Sequence, residues 1–297
     1  MNRPKVSVII PVYNTAEFLQ EALDSVYAQT LENVEIIAVN DGSTDGSAEI
    51  LERNSDKITV ISKQNAGQAA ARNDALAIAR GEFIYFMDSD DAIRPDTLER
   101  CLETCLRDNL DFAFFDATSF GAQQTGSSWQ DYHRAAFYPG ILSGPETMSK
   151  MLDEGKYRCS VCMSLFRADF IKGMEFHSGI IHEDELFSAR VYFKAKRIEG
   201  IPEEFYLRRL RADSTMTRRF SSRNVDGYLT VVREAPGYAG SPEAKKACRK
   251  LVGAIFLSLM HNGWSLPFAQ KMRIISSLAA HPYAFRLKPF CILLFKR

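Results

Sequence analysis

Residues 81–91 read Gly-Glu-Phe-Ile-Tyr-Phe-Met-Asp-Ser-Asp-Asp, an apolar run that ends in clustered acids. The apolar part predicts a buried strand, and Asp88, Asp90 and Asp91 follow where that strand ends. Asp88 and Asp90 are two residues apart, so a fully extended chain would place them on one face. Like charges this close repel unless a cation lies between them, and Mg²⁺ binds one or two carboxylates together with substrate phosphates. The segment therefore predicts a metal–diphosphate site, and a solvated acidic turn is the alternative.

Strands and helices alternate in the residues that precede this stretch. Apolar, β-rich runs predict strands at 6–11, 34–39 and 58–61, and helical patterns lie at 16–29, 47–53 and 68–79. This alternation indicates βαβ units and a mostly parallel sheet, whose ligands bind beyond the carboxyl ends of the strands. Polar residues suited to a site follow all four strands, at 11–14, 41–45, 65–72 and 88–91. The sequence thus predicts a ligand site built from four strand ends.

The residues at these strand ends resemble the motifs of family 2 glycosyltransferases. The matching segments are Val8-Ile-Ile-Pro-Val-Tyr-Asn14, Val39-Asn-Asp-Gly-Ser-Thr-Asp45, Asn65-Ala-Gly67 to Ala71-Arg-Asn73, and Met87-Asp-Ser-Asp-Asp91. They occur in order and at the family's spacing over about residues 5–100, and Ile181-His-Glu-Asp-Glu-Leu-Phe187 resembles the family's later Glu-Asp segment. Beyond about residue 220 the resemblance becomes loose. It implies a GT-A fold, which is a Rossmann-like α/β fold with a mostly parallel central sheet flanked by helices.

The resemblance also implies which residues bind a nucleotide-sugar donor. Asp41 would accept a hydrogen bond from the uracil imide N–H. An aspartate in a glycine-flanked turn also forms Asx-turns, which is the alternative for Asp41, and Asp45 is expected to cap the next helix. Pro11 and Tyr13 would form a wall beneath the uracil and ribose, with ordinary core packing as the alternative for Tyr13.

Further donor contacts come from the predicted helix at 68–79 and from the acidic segment. Arg72 follows three alanines, and its guanidinium is suited to the diphosphate or to a uracil carbonyl; a surface arginine is the alternative. Asp88 matches the first acid of the family's Asp-x-Asp motif and would bind the ribose hydroxyls. The remaining predicted donor-binding residues are Asn65, Gly67 and Ser89.

Asp90 is the predicted metal ligand, with Asp88 beside it. As the second acid of the Asp-x-Asp motif, Asp90 would hold Mn²⁺ or Mg²⁺ against both phosphates. The metal would stabilise the charge on the departing nucleoside diphosphate. His182 or His177 could supply a further metal contact, and the alternative for each is a structural or acceptor-facing role.

Asp184 is the predicted general base, because the family's motif has its base at the aspartate after the glutamate. In an inverting transfer the acceptor hydroxyl attacks C1 opposite the leaving group, and a carboxylate must lie within hydrogen-bonding reach of it. Glu183 is the second candidate, and the charges of Glu183 and Glu185 would raise a neighbouring carboxylate pKa. The structural alternative is an acidic first turn that stabilises a helix over 185–195, and both interpretations can hold together.

Two further segments carry weaker signals. The aromatic-rich stretch of Trp129, Tyr132, His133, Phe137 and Tyr138 could stack on acceptor sugars or pack in the core. Arg218 or Arg219 lies in a segment that resembles the family's flexible region near the donor and could close over the diphosphate.

Missing residues argue against several other function classes. The first strand is followed by Pro-Val-Tyr-Asn-Thr-Ala at 11–16 rather than by the Gly-x-Gly-x-x-Gly of a dinucleotide-binding fold, and no Gly-Lys-Ser/Thr phosphate loop is present. Leu186 stands where a His-Glu-x-x-His zinc motif needs its second histidine. Cys159 and Cys162 form a Cys-x-x-Cys pair without a second pair at zinc-finger spacing, so we expect them to serve packing.

The C-terminal segment differs in charge from the rest of the chain. Residues 243–297 contain ten Lys and Arg and one acid, Glu243, so they carry +9, and because the whole chain is neutral residues 1–242 carry −9. Apolar and aromatic residues accompany the basic ones, a combination suited to an anionic membrane surface. The alternative is that these helices pack on the catalytic domain or form a dimer contact.

We therefore expect a GT-A catalytic domain at 1–220 and a helical, basic extension at 221–297. The catalytic domain would have a nucleotide-sugar-binding half at 1–100 and an acceptor and catalytic-base half at 101–220. The expected function is inverting, metal-dependent transfer of a hexose from a UDP-sugar to a glycan or lipid-linked glycan in bacterial surface polysaccharide synthesis, where the acceptor rests on family analogy alone.

Two other functions are alternatives to this one. A sugar-1-phosphate nucleotidyltransferase needs a Gly-rich, basic loop after the first strand, which is absent. A non-catalytic nucleotide-sugar-binding assembly module would not need the acids at 88, 90 and 184. With no signal-like N-terminus and an ordinary 46% of hydrophobic residues, we expect a cytoplasmic protein, either free or peripheral at the inner face of the cell membrane. We expect no nucleic-acid partner, and a homodimer stays open.

Overall fold

The computed structural model describes residues 3–121, 138–210 and 220–295. The N-terminal elements are β1 (Val6–Val12), α1 (Ala16–Tyr27), β2 (Val34–Asp41), α2 (Ser47–Arg53), β3 (Thr59–Lys63), α3 (Gln68–Ile78) and β4 (Phe83–Phe86). Every strand and helix predicted for this half is present, and its ends differ from the prediction by at most two residues. Of the predicted aromatic stretch, Trp129, Tyr132, His133 and Phe137 lie outside the described residues, as do Arg218 and Arg219. Tyr138 is described and buried, as its core-packing alternative predicts.

The later elements contain more helix than strand. They are β5 (Ala92–Ile93), α4 (Thr97–Asp108), β6 (Phe112–Phe120), α5 (Gly144–Asp153), β7 (Ser164–Arg167), α6 (Ala168–Ile171), α7 (Glu183–Lys194), β8 (Ile198–Arg209), α8 (Ser222–Tyr238), α9 (Pro242–Asn262), α10 (Phe268–Ala279) and α11 (Leu287–Phe295). The helix predicted at 185–195 is α7, which begins two residues earlier and ends one residue earlier.

The strands among the described residues form one sheet in the order β3-β2-β1-β4-β7-β6-β8-β5. β1 lies between β2 and β4 and is parallel to both, and β2 is parallel to β3. β7 is antiparallel to β4 and β6, β8 is parallel to β6, and β5 is antiparallel to β8. The predicted parallel arrangement therefore holds for β1 to β4, and the sheet as a whole is mixed because β7 and β5 run against their neighbours.

The packing of β1 and α3 determines what lies near the ends of the strands. All seven residues of β1 are buried, as expected of a central strand whose two faces are both covered. Ala69, Ala71 and Ala75 of α3 are also buried, and α3 packs on β1 and β2. Small side chains let this helix approach the sheet closely, so its first turns lie near the ends of the strands.

The chain divides into two compact units. The sheet unit consists of Met1–Ser143, Ser160–Gly179 and Ala195–Ser214, and it contains the sheet. The helical unit consists of Gly144–Cys159, Ile180–Lys194 and Thr215–Arg297, so it takes α5 and α7 from the middle of the chain and joins them to α8–α11. The predicted domain boundary at residue 220 divides the chain by sequence instead, and that domain assignment stays a prediction.

The core of the helical unit is built around α9. Nine side chains of α9 are buried, and the helix packs against α5, α7, α8, α10 and α11. Its start is capped, since the Ser241 hydroxyl accepts a hydrogen bond from the Ala244 backbone N–H over 3.1 Å. Within the described part of the chain, no helix is long and apolar enough to cross a membrane.

Candidate active site

Asp41, at the end of β2, holds the turn that follows β3. Its carboxylate accepts two hydrogen bonds of 2.8 Å, from the backbone N–H groups of Ala66 and Gly67. The Asn65 amide donates to the Asp41 carbonyl over 2.9 Å. Gly42, at φ 73°, admits no side chain because a Cβ there would lie 2.8 Å from the Asn65 backbone nitrogen. Asp41 thus organises the predicted donor residues of this turn, and its contact with a uracil stays a prediction.

We expect Asp41→Asn to loosen this turn and to weaken UDP binding about tenfold, or about 1.4 kcal/mol. Asp41 is 2% exposed, and a side-chain amide accepts through one oxygen only, so one of the two N–H groups loses its buried acceptor. Such a loss costs about 1–3 kcal/mol. Calorimetric titration with UDP measures the change, and Asp56→Asn, at an exposed position, is the matched control. Equal affinity for UDP in the two variants would mean that this turn does not contribute to donor binding.

Asp88, which follows β4, is paired with a buried arginine of α3. Arg72 donates from Nη2 to Oδ1 of Asp88 over 2.9 Å, and Gln68 donates to the same oxygen over 2.8 Å. The Arg72 guanidinium also lies 5.2 Å from the centre of the Phe176 ring. The Arg72 side chain is 4% exposed, so the alternative of a surface arginine is wrong. The structure brings Arg72 and Asp88 together, and their contacts with a donor stay predictions.

The third acid, Asp91, anchors the acidic turn to β8. Its Oδ2 accepts from the Tyr206 hydroxyl over 2.6 Å, and its Oδ1 accepts from the Arg209 backbone N–H over 2.7 Å. Arg209 also donates from Nε to the Asp90 carbonyl over 3.0 Å. Burial, followed by the charges of Asp90 and Asp88, raises the pKa of Asp91 to about 8. Sequence analysis did not find Tyr206 or Arg209, because they are 115 or more residues away and no local pattern links them to the turn.

Hydrogen bonds between short polar side chains join the ends of β1, β2 and β4. The Thr15 hydroxyl donates to Oγ of Ser89 over 2.9 Å, and the Thr15 backbone N–H donates to Oγ of Ser47 over 3.1 Å. The Asp45 carboxylate accepts from the first backbone amides of two helices, Ala16 of α1 at 2.9 Å and Ser47 of α2 at 3.0 Å. The predicted capping role of Asp45 is confirmed for α2, and the structure adds α1.

Pro11 and Tyr13 lie at the end of the central strand. Pro11 is buried within β1, whereas Tyr13 is 50% exposed. The alternative of ordinary core packing is therefore wrong for Tyr13. An exposed ring beyond the carboxyl end of a parallel strand lies where ligands of such sheets bind, and its stacking beneath a nucleobase stays a prediction.

The acids of this edge fit a divalent cation that is completed by phosphate. Mg²⁺ commonly takes one or two carboxylates together with substrate phosphates, and Asp88 and Asp90 are the two acids of the predicted Asp-x-Asp motif. In residues 3–121, 138–210 and 220–295, no three His, Cys, Asp or Glu side chains are grouped to hold a metal by themselves. A cation bound by one or two of these acids would take its other ligands from phosphate oxygens or water.

The predicted base segment lies in the helical unit, where it forms the first turn of α7. Glu183 is 9% exposed, and Oδ1 of Asp184 accepts from the Glu185 backbone N–H over 2.9 Å. Burial, followed by the charge of Asp184, raises the pKa of Glu185 to about 8, and Tyr157 and Cys159 lie beside the Glu185 carboxyl group. The acidic first turn of a helix is confirmed, and the catalytic role of Asp184 stays a prediction.

Helix α8 clamps the backbone immediately before this turn. His182 has a φ of 69°, in the left-handed region that few non-glycine residues adopt. Its ring stacks on Tyr228 with centroids 3.9 Å apart, its Nε2 lies 3.2 Å from Nδ2 of Asn224, and burial lowers its pKa. A Cβ on Gly227 would lie 2.0 Å from the Ile181 carbonyl oxygen, so only glycine fits there. Sequence analysis named His182 as a metal-ligand candidate and missed this clamp.

Sequence comparison relates the chain to one enzyme family. The family model described as "Glycosyl transferase family 2" matches residues 7–173, which is more than half of the chain. The Escherichia coli K12 protein named "Uncharacterized glycosyltransferase YibD" is 32% identical over 211 residues, which cover 68% of this chain and 60% of YibD. The chain therefore spans about three fifths of the length of this relative.

Solved structures share the fold over nearly the whole chain. Staphylococcus aureus TarS 1-349, solved with UDP-GlcNAc, matches with a TM-score of 0.76 at 23% identity and covers 97% of this chain and 84% of TarS 1-349. The mannosyltransferase PcManGT of Pyrobaculum calidifontis, solved with GDP-Man and Mn²⁺, matches with a TM-score of 0.61 at 19% identity and covers 99% and 79%. The predicted GT-A-like fold, with helices at the C-terminus, is confirmed.

Proposed function

Because this chain belongs to glycosyl transferase family 2, we propose that it transfers a hexose with inversion from a UDP-sugar to a glycan or lipid-linked glycan. One observation supports the proposed donor site. Hydrogen bonds connect the start of α3 to the acidic residues at the ends of two strands. The backbone N–H of Gly67, directly before α3, donates to Asp41 at the end of β2, and Arg72, one turn into α3, donates to Asp88 after β4. These groups suit the recognition of a base, a ribose and a diphosphate in that order.

The start of α3 supports a diphosphate at this edge. Helix N-termini attract phosphates, because their backbone N–H groups lack partners within the helix. Gly67 lies at that end with a φ of 89°, and nothing lies within 4 Å of the place where a Cβ would be. UDP is the proposed nucleotide because the TarS fold has been solved with UDP-GlcNAc and because the motifs resemble those of UDP-sugar enzymes.

The proposal includes a divalent cation, Mn²⁺ or Mg²⁺, at Asp90 with Asp88 beside it. When bound, it would neutralise charge on the departing diphosphate. Two observations support this choice. Asp88 and Asp90 are the two acids that match the family's Asp-x-Asp motif, and PcManGT, a protein of similar fold, has been solved with Mn²⁺. A cation would also offset the repulsion between acids that helps to raise the Asp91 pKa.

Asp184 is the proposed general base, and Glu183 is the second candidate. The base would take the proton of the acceptor hydroxyl as its oxygen attacks C1. Glu185 is a poorer base, because its raised pKa of about 8 keeps the carboxyl group largely protonated at neutral pH. The acceptor class, a bacterial surface glycan, rests on the family resemblance. A lipid-linked acceptor would bring the enzyme to the inner face of the cell membrane, where we propose contact through residues 243–297.

Release of UDP from a panel of UDP-sugars, without acceptor, tests the donor and the metal together. We expect slow release from one sugar with Mn²⁺ or Mg²⁺ and none with EDTA. In Asp90→Asn the metal-dependent release should fall at least about tenfold, because a bound metal contributes several kcal/mol of charge stabilisation. Asp56→Asn, an exposed position of the same unit, should behave like the native chain.

Each outcome of this assay bears on a different part of the proposal. Release that persists in EDTA, or that is unchanged in Asp90→Asn, would contradict the metal site. If no sugar gave UDP release and UDP caused no thermal shift, the proposal that UDP is the nucleotide would be wrong. Any turnover excludes the non-catalytic assembly module that the sequence left open.

A further inference from the structure

Most of the exposed apolar side chains of residues 243–297 lie in or between the last two helices, and Leu257 of α9 is the exception at 40% exposure. Phe268 and Met272 of α10 are 74% and 43% exposed, and they lie on one face because they are four residues apart. Leu287, the first residue of α11, is 68% exposed, and Tyr283 and Phe285 between the helices are 45% and 43% exposed. We call these five side chains the α10–α11 surface. By contrast, α9 buries nine side chains in the core.

Exposed large hydrophobic side chains are concentrated in this part of the chain. Eleven large hydrophobic side chains are exposed in the described part of the chain, and five of them belong to these twenty residues at 268–287. The others, such as Leu106 on α4 and Ile78 on α3, belong to separate elements. Single exposed apolar residues need no explanation, whereas a cluster marks an interaction site.

The charged residues of the stretch itself are all basic. Lys271 and Arg286 lie within 268–287, Lys288 follows directly, and the sequence contains no Asp or Glu after Glu243. Arg273 is neutralised by Asp226 over 2.7 Å, but Lys271 and Lys288 make no ion pair with any residue of the described ranges. Two or more positive charges therefore accompany the exposed aromatic and aliphatic groups.

We propose that the α10–α11 surface docks on an anionic lipid bilayer. Phe268, Met272 and Leu287 would enter the headgroup boundary, while Lys271 and Lys288 would bind the lipid phosphates, the division of roles found in interfacial helices. The proposal narrows the membrane contact from 243–297 to about 268–288. It deepens the proposed function, although the docking itself needs no catalysis.

The charge pattern favours lipid over a second copy of the chain. A symmetric dimer through this surface would bring identical positive charges together without a carboxylate in the segment to offset them. An anionic bilayer supplies negative charge and an apolar boundary at once. Its attraction to Lys271 and Lys288 would fall with ionic strength, because salt screens exposed charges.

Flotation of the full chain with vesicles tests the proposal. We expect binding to vesicles of equal parts phosphatidylglycerol and phosphatidylcholine at low salt, and none to phosphatidylcholine alone. The double variant Phe268→Ser with Leu287→Ser should bind at least about tenfold more weakly, since it loses the apolar contact. Lys271→Glu with Lys288→Glu should lose at least about 25-fold, at roughly fivefold for each basic residue near the surface.

Matched controls distinguish binding through this surface from nonspecific hydrophobic adsorption and from nonspecific electrostatic attraction. Leu106→Ser removes a side chain with 60% exposure on the other unit, and Lys245→Glu with Lys246→Glu makes the same charge change on exposed positions of α9. Both should retain most of the binding, and circular dichroism should show every variant folded.

Three results would overturn the proposal. The native chain could fail to float with anionic vesicles, or the α9 charge variant could lose as much binding as the α10–α11 variant. Light scattering could instead reveal a dimer that Phe268→Ser with Leu287→Ser dissociates, which would make this surface a subunit interface. Because UDP release is measured separately, failure of docking leaves the proposed transfer reaction intact.

Discussion

Replacing Asp184 with asparagine is expected to lower kcat by roughly 10²- to 10⁴-fold, the usual contribution of a general base. The amide keeps the size of the side chain and can still accept through Oδ1 the bond from the Glu185 backbone, so α7 should retain its first turn. What it cannot do is remove the proton of the acceptor hydroxyl. Steady-state kinetics with the acceptor and the preferred UDP-sugar measures the loss, and UDP affinity should be unchanged.

Glu185→Gln is the matched control for this prediction. Burial raises the pKa of Glu185 from 4.5 to about 8, so at neutral pH the native side chain is largely uncharged, and glutamine imitates that form. We expect kcat within about threefold of the native value, because no proton acceptor is removed. If Asp184→Asn turned over normally with intact donor binding, or if Glu185→Gln were the inactive variant, the assignment of the base to Asp184 would be wrong.

Glu185→Gln should also change how the stability of the protein depends on pH. The folded state binds the Glu185 proton more tightly than the unfolded state does, because its pKa is raised. The unfolded state therefore loses its proton first, and this residue makes the fold less stable as pH rises from about 4.5 to about 8. Glu185→Gln should abolish that part of the decline, so its melting temperature should fall less than the native one over this range.

Gly227→Ala is expected to lower the free energy of unfolding of the helical unit by about 3 kcal/mol, the upper part of the range for overpacking. A Cβ there would lie 2.0 Å from the Ile181 carbonyl oxygen, which is backbone and cannot move aside alone. At about 2–4 °C for each kcal/mol, the melting temperature should fall by roughly 6–12 °C. Relief of the clash requires α8 to withdraw from the 181–184 corner.

The same substitution should also impair catalysis, because the corner carries the predicted base. Withdrawal of α8 would separate Tyr228 and Asn224 from His182, whose left-handed backbone depends on these contacts. Displacement of a catalytic group by about 1 Å can cost 10²-fold in rate. We therefore expect a loss of that order in kcat at a temperature where the variant is still folded.

Gly237→Ala supplies the control within the same helix. Nothing lies within 4 Å of a Cβ at Gly237, so alanine should be neutral or stabilising by up to about 1 kcal/mol through helix propensity. Differential scanning calorimetry of Gly227→Ala and Gly237→Ala compares the melting temperatures after substitution at a crowded and at an open position of α8. Equal melting temperatures would mean that α8 does not press on the Ile181 backbone.

The N-terminal half could be predicted from the sequence because its signals are local. An apolar run such as Phe83 to Met87 has to be buried, and the acids directly after it have to leave the sheet, so position along the chain already gives position in the strand. The same holds for Asp45, whose capping role follows from its place before a helix. No tertiary information was needed for these assignments.

The surroundings of these residues could not be predicted in the same way. Asp91 is held by Tyr206 and Arg209 from β8, which the order of the sheet brings beside β5. His182 is held by two residues of α8 more than forty positions later. Such contacts depend on how helices and strands pack, and the spacing of residues in the sequence does not predict them.

The C-terminal segment separates the two kinds of information most clearly. By itself the sequence determined that this stretch is basic and rich in apolar side chains, since composition is a property of the chain. Only the tertiary structure decided that Phe256 of α9 is buried while Phe268 of α10 is 74% exposed. The two residues are chemically identical, and they differ because burial depends on which neighbouring helices cover a side chain.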